Sequence, residues 1–240
     1  MTRSISVFFA ATVLFFSLSA RAQDATTLSA NAPDADSLTN EPPKLLELMA
    51  SNNVVTNTIG IVLIKISPTL WAGKYEVTQT AYKKLTGSNP SAFVGSQNPV
   101  DSVSWNDAVS FCDKLTSREK TSSELPKGFS YTLPTEAQWV SLMSDASLKD
   151  AVMKLNGTAS SSTAPVGSLG ANSLGLYDTR GNVMEWVLDS HDPAARILKG
   201  GAWDTFIEIN ARPEFQWRVA PDDKKNFYGF RVILTAASSQ

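Results

Sequence analysis

The stretch "GLYDTRGNVMEW", residues 175–186, sets two carboxylates, Asp178 and Glu185, among glycines, an asparagine and several large apolar side chains. Desolvating a bare acid is costly, so such a segment either keeps its acids at the surface or gives them a cation or hydrogen-bond donors to face. Its residues suggest little hydrogen-bonded structure of their own. Taken alone, they read as a surface loop whose acids meet Arg180 or water.

Working outward, regular elements are short and of mixed type. Upstream, "GIVLIKI" (residues 60–66) is a β-branched run suited to a buried strand. In "GKYEVTQTAYKKLTG" a short strand reaches Val77, and Thr78 caps a helix that stops at Gly87. Ser104 caps a second helix, on which Trp105, Ala108, Val109, Cys112 and Leu115 recur at helical spacing and face the core. A third begins in "LPTEAQW", where Thr135 and Gln138 form a capping box and Trp139, Leu142 and Met143 give the buried face. Downstream the helical signal fades into turns and the short extended pieces "RILKGGAWD", "FQWRVA" and "YGFRVIL". Gly200 and Gly201 mark a close approach of the backbone. "YGFRV" reads as a closing strand, with Tyr228, Phe230 and Val232 alternating against Gly229 and Arg231. The fold class is therefore α+β with an irregular second half.

Composition narrows the function. The 240 residues carry a net charge of −2 without long basic runs, which gives no electrostatic footprint for nucleic acid or an anionic membrane surface. There is one cysteine, Cys112, and one histidine, His191. No internal disulfide can form, and zinc sites or Cys/His dyads lack ligands. A thiol on an apolar helix stripe behaves as a small hydrophobe. His191 reads as an exposed loop residue.

The N-terminus carries Arg3, an apolar run over residues 5–18, and Ala20-Arg21-Ala22, the pattern of a secretory signal cut before Gln23. No membrane span remains after that cleavage, so the product is expected to be exported, to a periplasm or the cell exterior. Residues 23–58 read as a flexible lead, 59–235 as the domain and 236–240 as a tail; "LLELMA" within the lead suits one or two helical turns.

The ordered set "GKYEVTQTAY", "NPVDSVSWNDAVSFC", "LPTEAQW", "APVGSLGANSLGLYDTRGNVMEW", "ILKGGAWD" and "YGFRV" resembles the formylglycine-generating enzyme family, also called the sulfatase-modifying factor family. The resemblance implies a variant of the C-type-lectin-like fold with sparse regular structure. It also implies calcium in the opening stretch, held by side-chain oxygens of Asp178 and Glu185 and backbone carbonyls of Gly181 and Val183. A second calcium site of that family has only Asp150 and Asn156 as nearby candidates and is not assigned.

Enzymes of this family oxidise a substrate cysteine with a copper ion on two cysteines lying between "GG" and the final "GFR". Soft thiolates suit Cu(I). Here that interval holds no cysteine. Counted from the double glycine, the two positions fall on Asn210 and Phe215, while Arg212 and Arg218 match arginines of the pattern. Copper and formylglycine formation are therefore not expected. Two readings follow. The first is a calcium-stabilised binding or scaffold module, with a groove near Trp203, Asn210, Phe215 and Arg218 for a peptide, glycan or protein. The second is an oxidoreductase of the sulfatase- or siderophore-maturation type with a non-standard metal site, whose ligands the sequence does not supply.

Overall fold

Two small sheets form the framework. The computed structural model describes residues 44–156, 161–190 and 192–236. The signal and most of the lead (residues 1–43), His191 and residues 237–240 of the tail lie outside the described residues. All that is described belongs to one unit, Pro42–Gln240.

The first sheet contains β1 (Val54–Thr56), β2 (Val62–Ser67), β3 (Leu70–Gly73), β4 (Phe129–Thr132) and β9 (Ile233–Ala236), in the order β1-β2-β3-β9-β4. All its pairings are antiparallel. The C-terminal strand thus lies between β3 and β4, with Leu234 opposite both Trp71 and Tyr131. The second sheet contains β5 (Met184–Trp186), β6 (Arg196–Lys199), β7 (Trp217–Val219) and β8 (Tyr228–Gly229), in the order β7-β6-β5-β8, and β8 runs parallel to β5.

Helix α1 (Leu45–Ser51) and strand β1 lie within the expected lead, yet both join the fold. Leu45, Met49 and Val55 are buried, so the ordered domain begins earlier than the polar composition of the lead suggests. Helix α2 (Gln79–Thr86) is capped by Thr78 Oγ1, which accepts from the Ala81 N–H at 3.2 Å, and ends at Gly87 with φ 85°. Ser104 and Asp107 form a capping box on α3 (Trp105–Thr121), and Thr135 and Gln138 form one on α4 (Glu136–Met143). The stripe of α3 buries Ala108, Cys112 and Leu115 as expected, together with Phe111. Phe111 stacks on Tyr82 at 5.4 Å and meets Phe230 edge-on at 5.2 Å. Cys112 is buried in the same core, and burial pushes its thiol pKa up.

Two strand expectations are corrected. The strand expected to reach Val77 ends at Gly73, where the chain bends and carries Glu76 inside. "YGFRV" is not one closing strand: β8 ends at Gly229, and residues 230–232 cross from the second sheet to β9 in the first. An alternating strand needs one wet face, but this crossing is enclosed on all sides, and Arg231 is as buried as Phe230. The double glycine follows β6 with φ 94° at Gly200 and 73° at Gly201. A Cβ on Gly200 would meet Trp139 Cζ2 at 3.0 Å and the Thr179 carbonyl at 3.3 Å.

Candidate functional site

The opening stretch is not at the surface. Glu185 is 1% exposed and forms an ion pair with Arg231, Nη2 to Oε1 at 2.6 Å. Trp139 Nε1 donates to Glu185 Oε2 at 2.8 Å. Arg231 also donates to the carbonyls of Gly73 at 2.9 Å and Tyr177 at 2.7 Å, tying the first sheet to the second. Neither Arg180 nor water is the principal partner of Glu185. Arg180 instead sits in the field of Glu208 and Glu214, with its Nε buried and unpartnered.

A third carboxylate joins this cluster. Glu76 accepts from Val183 N–H at 3.0 Å through Oε1 and from Asn182 Nδ2 at 2.8 Å through Oε2. Asn182, with φ 59°, also exchanges hydrogen bonds with the backbone of Ala164. Asp178, with φ 53°, accepts from the Gly167 N–H at 2.6 Å. Gly181, with φ 83°, donates to the Gly200 carbonyl at 3.0 Å, and a Cβ there would lie 2.7 Å from the Val152 carbonyl.

Three buried carboxylates thus share one guanidinium. Burial, then Asp178 and Glu185, hold Glu76 well above the ordinary carboxyl range. Burial pushes Asp178 up to about 6, against the opposing effects of the Gly167 N–H and Arg231. The cluster carries more negative than positive charge whenever all its acids are ionised.

Carboxylates and carbonyls suit a hard cation, which takes about six to eight oxygens. Of the four residues expected to hold calcium, Glu185 has its oxygens engaged by Arg231 and Trp139. Asp178 instead borders a small cavity of about 10 Å³ that Asp150 and Arg180 also line. That space is close to the size of one bound water. Gly181 and Val183 do not line it. Among the described residues, no three of His, Cys, Asp and Glu gather closely enough to hold a metal with side chains alone. Any cation at Asp178 would therefore draw on backbone oxygens.

The second expected site divides. Asn210 and Phe215, the positions that stand where the pattern has cysteines, line one cavity of about 140 Å³ with Met184, Phe206, Trp217 and Phe227. Asp204 and Thr205 complete its wall. Trp203 is not on it: its ring packs edge-on to Phe93 at 5.1 Å and its Nε1 donates to the Asn226 carbonyl at 3.2 Å. Arg218 is also elsewhere, donating to Gln216, whose amide in turn donates to Glu136 at 2.6 Å. Glu136 also accepts from the fully buried Lys199 at 2.9 Å. Around the cavity mouth Phe206 is 70% exposed and Trp217 40%. Sequence reading missed Met184, Asp204, Thr205, Phe206, Trp217 and Phe227, which the fold gathers from several segments; the aromatic content of "FQWRV" was the one available signal.

These features have counterparts in known proteins. The Sulfatase-modifying factor enzyme 1-like domain matches residues 63–147 and 143–236. A curated relative, the chaperone protein LppX of Paenibacillus barcinonensis, is 30% identical over 228 residues, covering 68% of this chain and 79% of that protein. Treponema denticola variable protein 1 shares the fold with a TM-score of 0.58 at 23% identity, over 76% of this chain and 91% of that one. PvdO from Pseudomonas aeruginosa does so with a TM-score of 0.56 at 22% identity, over 69% and 80%. With most of both sheets, the double glycine and the buried Glu185–Arg231 pair falling inside the matched segments, the chain belongs to the sulfatase-modifying factor enzyme 1-like family.

Proposed function

We propose that this protein is an exported binding or scaffold module that engages a polypeptide partner and does not generate formylglycine. One observation carries this reading: Asn210 and Phe215 face a shared, largely apolar pocket where the family pattern places a thiolate pair. A phenyl ring and an amide cannot seat a soft redox ion, whereas a concave apolar pocket with exposed rings suits a ligand. The name of the relative LppX, a chaperone, agrees with a protein partner. Export is supported by the N-terminal signal pattern, and no described helix is long and apolar enough to cross a membrane.

The test uses protein beginning at Gln23. It is expected to bind extended or unfolded polypeptide saturably, and Phe215→Glu is expected to abolish that binding. One Cu(I) per molecule together with oxygen consumption on cysteine peptides would overturn the proposal.

A calcium ion at Asp178 is part of the same reading. The cavity shared by Asp150 and Asp178 supports it, as does the Glu185 carboxylate near Asp178; Arg180, on the same wall, is the competing cation. Adding calcium to metal-stripped protein is expected to raise Tm by mass action, and Asp178→Ala is expected to remove that rise. An identical rise in the variant counts against this position.

A further inference from the structure

The pocket lined by Asn210 and Phe215 has a chemistry of its own, distinct from that of any thiolate pair. Four rings, those of Phe206, Phe215, Trp217 and Phe227, stand on its wall with Asp204. Phe215 and Trp217 are neighbouring walls, 6.3 Å between centroids and tilted by 44°. Aromatic faces carry negative potential and attract cations within about 6 Å.

We propose that this pocket binds an alkylated ammonium group, the rings enclosing its methyl groups and the Asp204 carboxylate supplying the counter-charge. The inference rests on reading the pocket as a ligand site and names the chemistry of what enters it.

Charge complementarity selects the cation. Asp204 is partly buried, burial pushes its pKa up, and the cation in its field is Lys154. Lys154 itself stands 5.3 Å from the Trp203 ring, which is not on the pocket wall. A neutral guest would bury the carboxylate further without compensation, which is unfavourable. A cationic guest turns the same burial into attraction.

Size and donor count select the alkylated form. At about 140 Å³ the cavity is close to the roughly 150 Å³ apolar cavity known to admit a benzene molecule. A trimethylammonium group is of comparable bulk. A primary ammonium has three N–H donors and is strongly hydrated, so it needs several acceptors. Beyond Asp204 the side chains of the wall offer two acceptors, the Asn210 amide oxygen and Thr205 Oγ1, and the latter already accepts the Ala202 N–H at 2.8 Å, too few to replace the hydration of a primary ammonium. The exposed rings of Phe206 and Trp217 are apolar surface that such a guest covers.

The experiment is calorimetric titration of protein beginning at Gln23 with choline and with its neutral carbon isostere, dimethylbutanol. Choline is expected to bind about tenfold tighter than the isostere, the scale of a partly desolvated cation–π contact. Asp204→Asn is expected to lower choline affinity several-fold with Tm unchanged; Trp217→Leu is expected to lower it as well, with a drop in Tm because it removes the hydrogen bond from Trp217 Nε1 to the buried Tyr228 hydroxyl at 3.0 Å. Equal affinity for choline and isostere, tighter binding of ethylamine than of choline, or no saturable choline binding would each overturn the inference. A peptide containing trimethyl-lysine and free phosphocholine form the arms that separate a protein source of the group from a lipid one; either binding more tightly than choline supports the site. Saturable polypeptide binding that is indifferent to choline would overturn this inference and leave the broader reading standing. Choline binding without any polypeptide binding would do the reverse.

Discussion

The two regions that the sequence picked out are built on opposite plans. Between the sheets, Glu76, Glu185, Arg231 and Asn182 form a closed polar cluster with hydrogen bonds reaching into both sheets. Around Asn210 and Phe215 the molecule does the contrary: rings line an open pocket, and two of them stay substantially exposed. A buried charge network is a weak source of net stability, because desolvation offsets most of the attraction, yet removing one member leaves charges stranded. An exposed aromatic pocket adds little to folding and gains its energy when something fills it. The polar cluster therefore fixes geometry, and the aromatic pocket, anchored on that geometry through Met184 in β5, is left to meet a partner.

This contrast can be broken by substitution, and the largest effect belongs to Arg231. Arg231→Met leaves its carboxylates without their guanidinium and is expected to cost about 3–5 kcal/mol, read as a drop in the urea midpoint. A loss below about 1 kcal/mol would mean that the cluster is not the fixed point described.

Next is the pH dependence of Asp178. Native Asp178 keeps its proton up to about pH 6, whereas the unfolded chain releases it near the ordinary value of 3.8. The native state therefore binds more protons between those values, and this residue's contribution makes stability fall as pH rises from 4 to 6, levelling off above. In calcium-free protein, Asp178→Asn is expected to recover up to about 3 kcal/mol at pH 7 and progressively less toward pH 4. A difference between wild type and variant that does not change with pH would contradict the assignment.

Gly181→Ala comes third. It forces a Cβ against the Val152 backbone at a φ that L-residues avoid, and is expected to cost about 2 kcal/mol in thermal unfolding. Smallest is Phe206→Ala in the pocket, expected to shift stability by no more than about 0.5 kcal/mol while weakening ligand binding. A large stability loss there would make the pocket part of the core and remove the contrast.

Much of the framework was legible before the structure. Thr78, Ser104 and Thr135 announce their helices because a cap is a local event between a side chain and a backbone N–H a few residues on. The buried stripe of α3 and the close backbone approach at Gly200 were also legible, whereas the left-handed φ of Gly200 and Gly201 was not. Leu45, Met49 and Val55 escaped notice because their burial depends on what packs over them. The candidate site was half legible: Asn210 and Phe215 do share a pocket, but Trp203 and Arg218 turn to other partners.

What the sequence by itself determined was whatever short-range chemistry controls: capping, helical periodicity, turn glycines, and the absence of any cysteine between the double glycine and Arg231. Only the tertiary structure decided that Arg231 answers Glu185 across 46 positions, that Glu76 turns inward to join them, and that four rings from three segments converge beside Asp204. Charge pairing and ring enclosure act through space, and their strength depends on burial, which no local stretch of chain specifies.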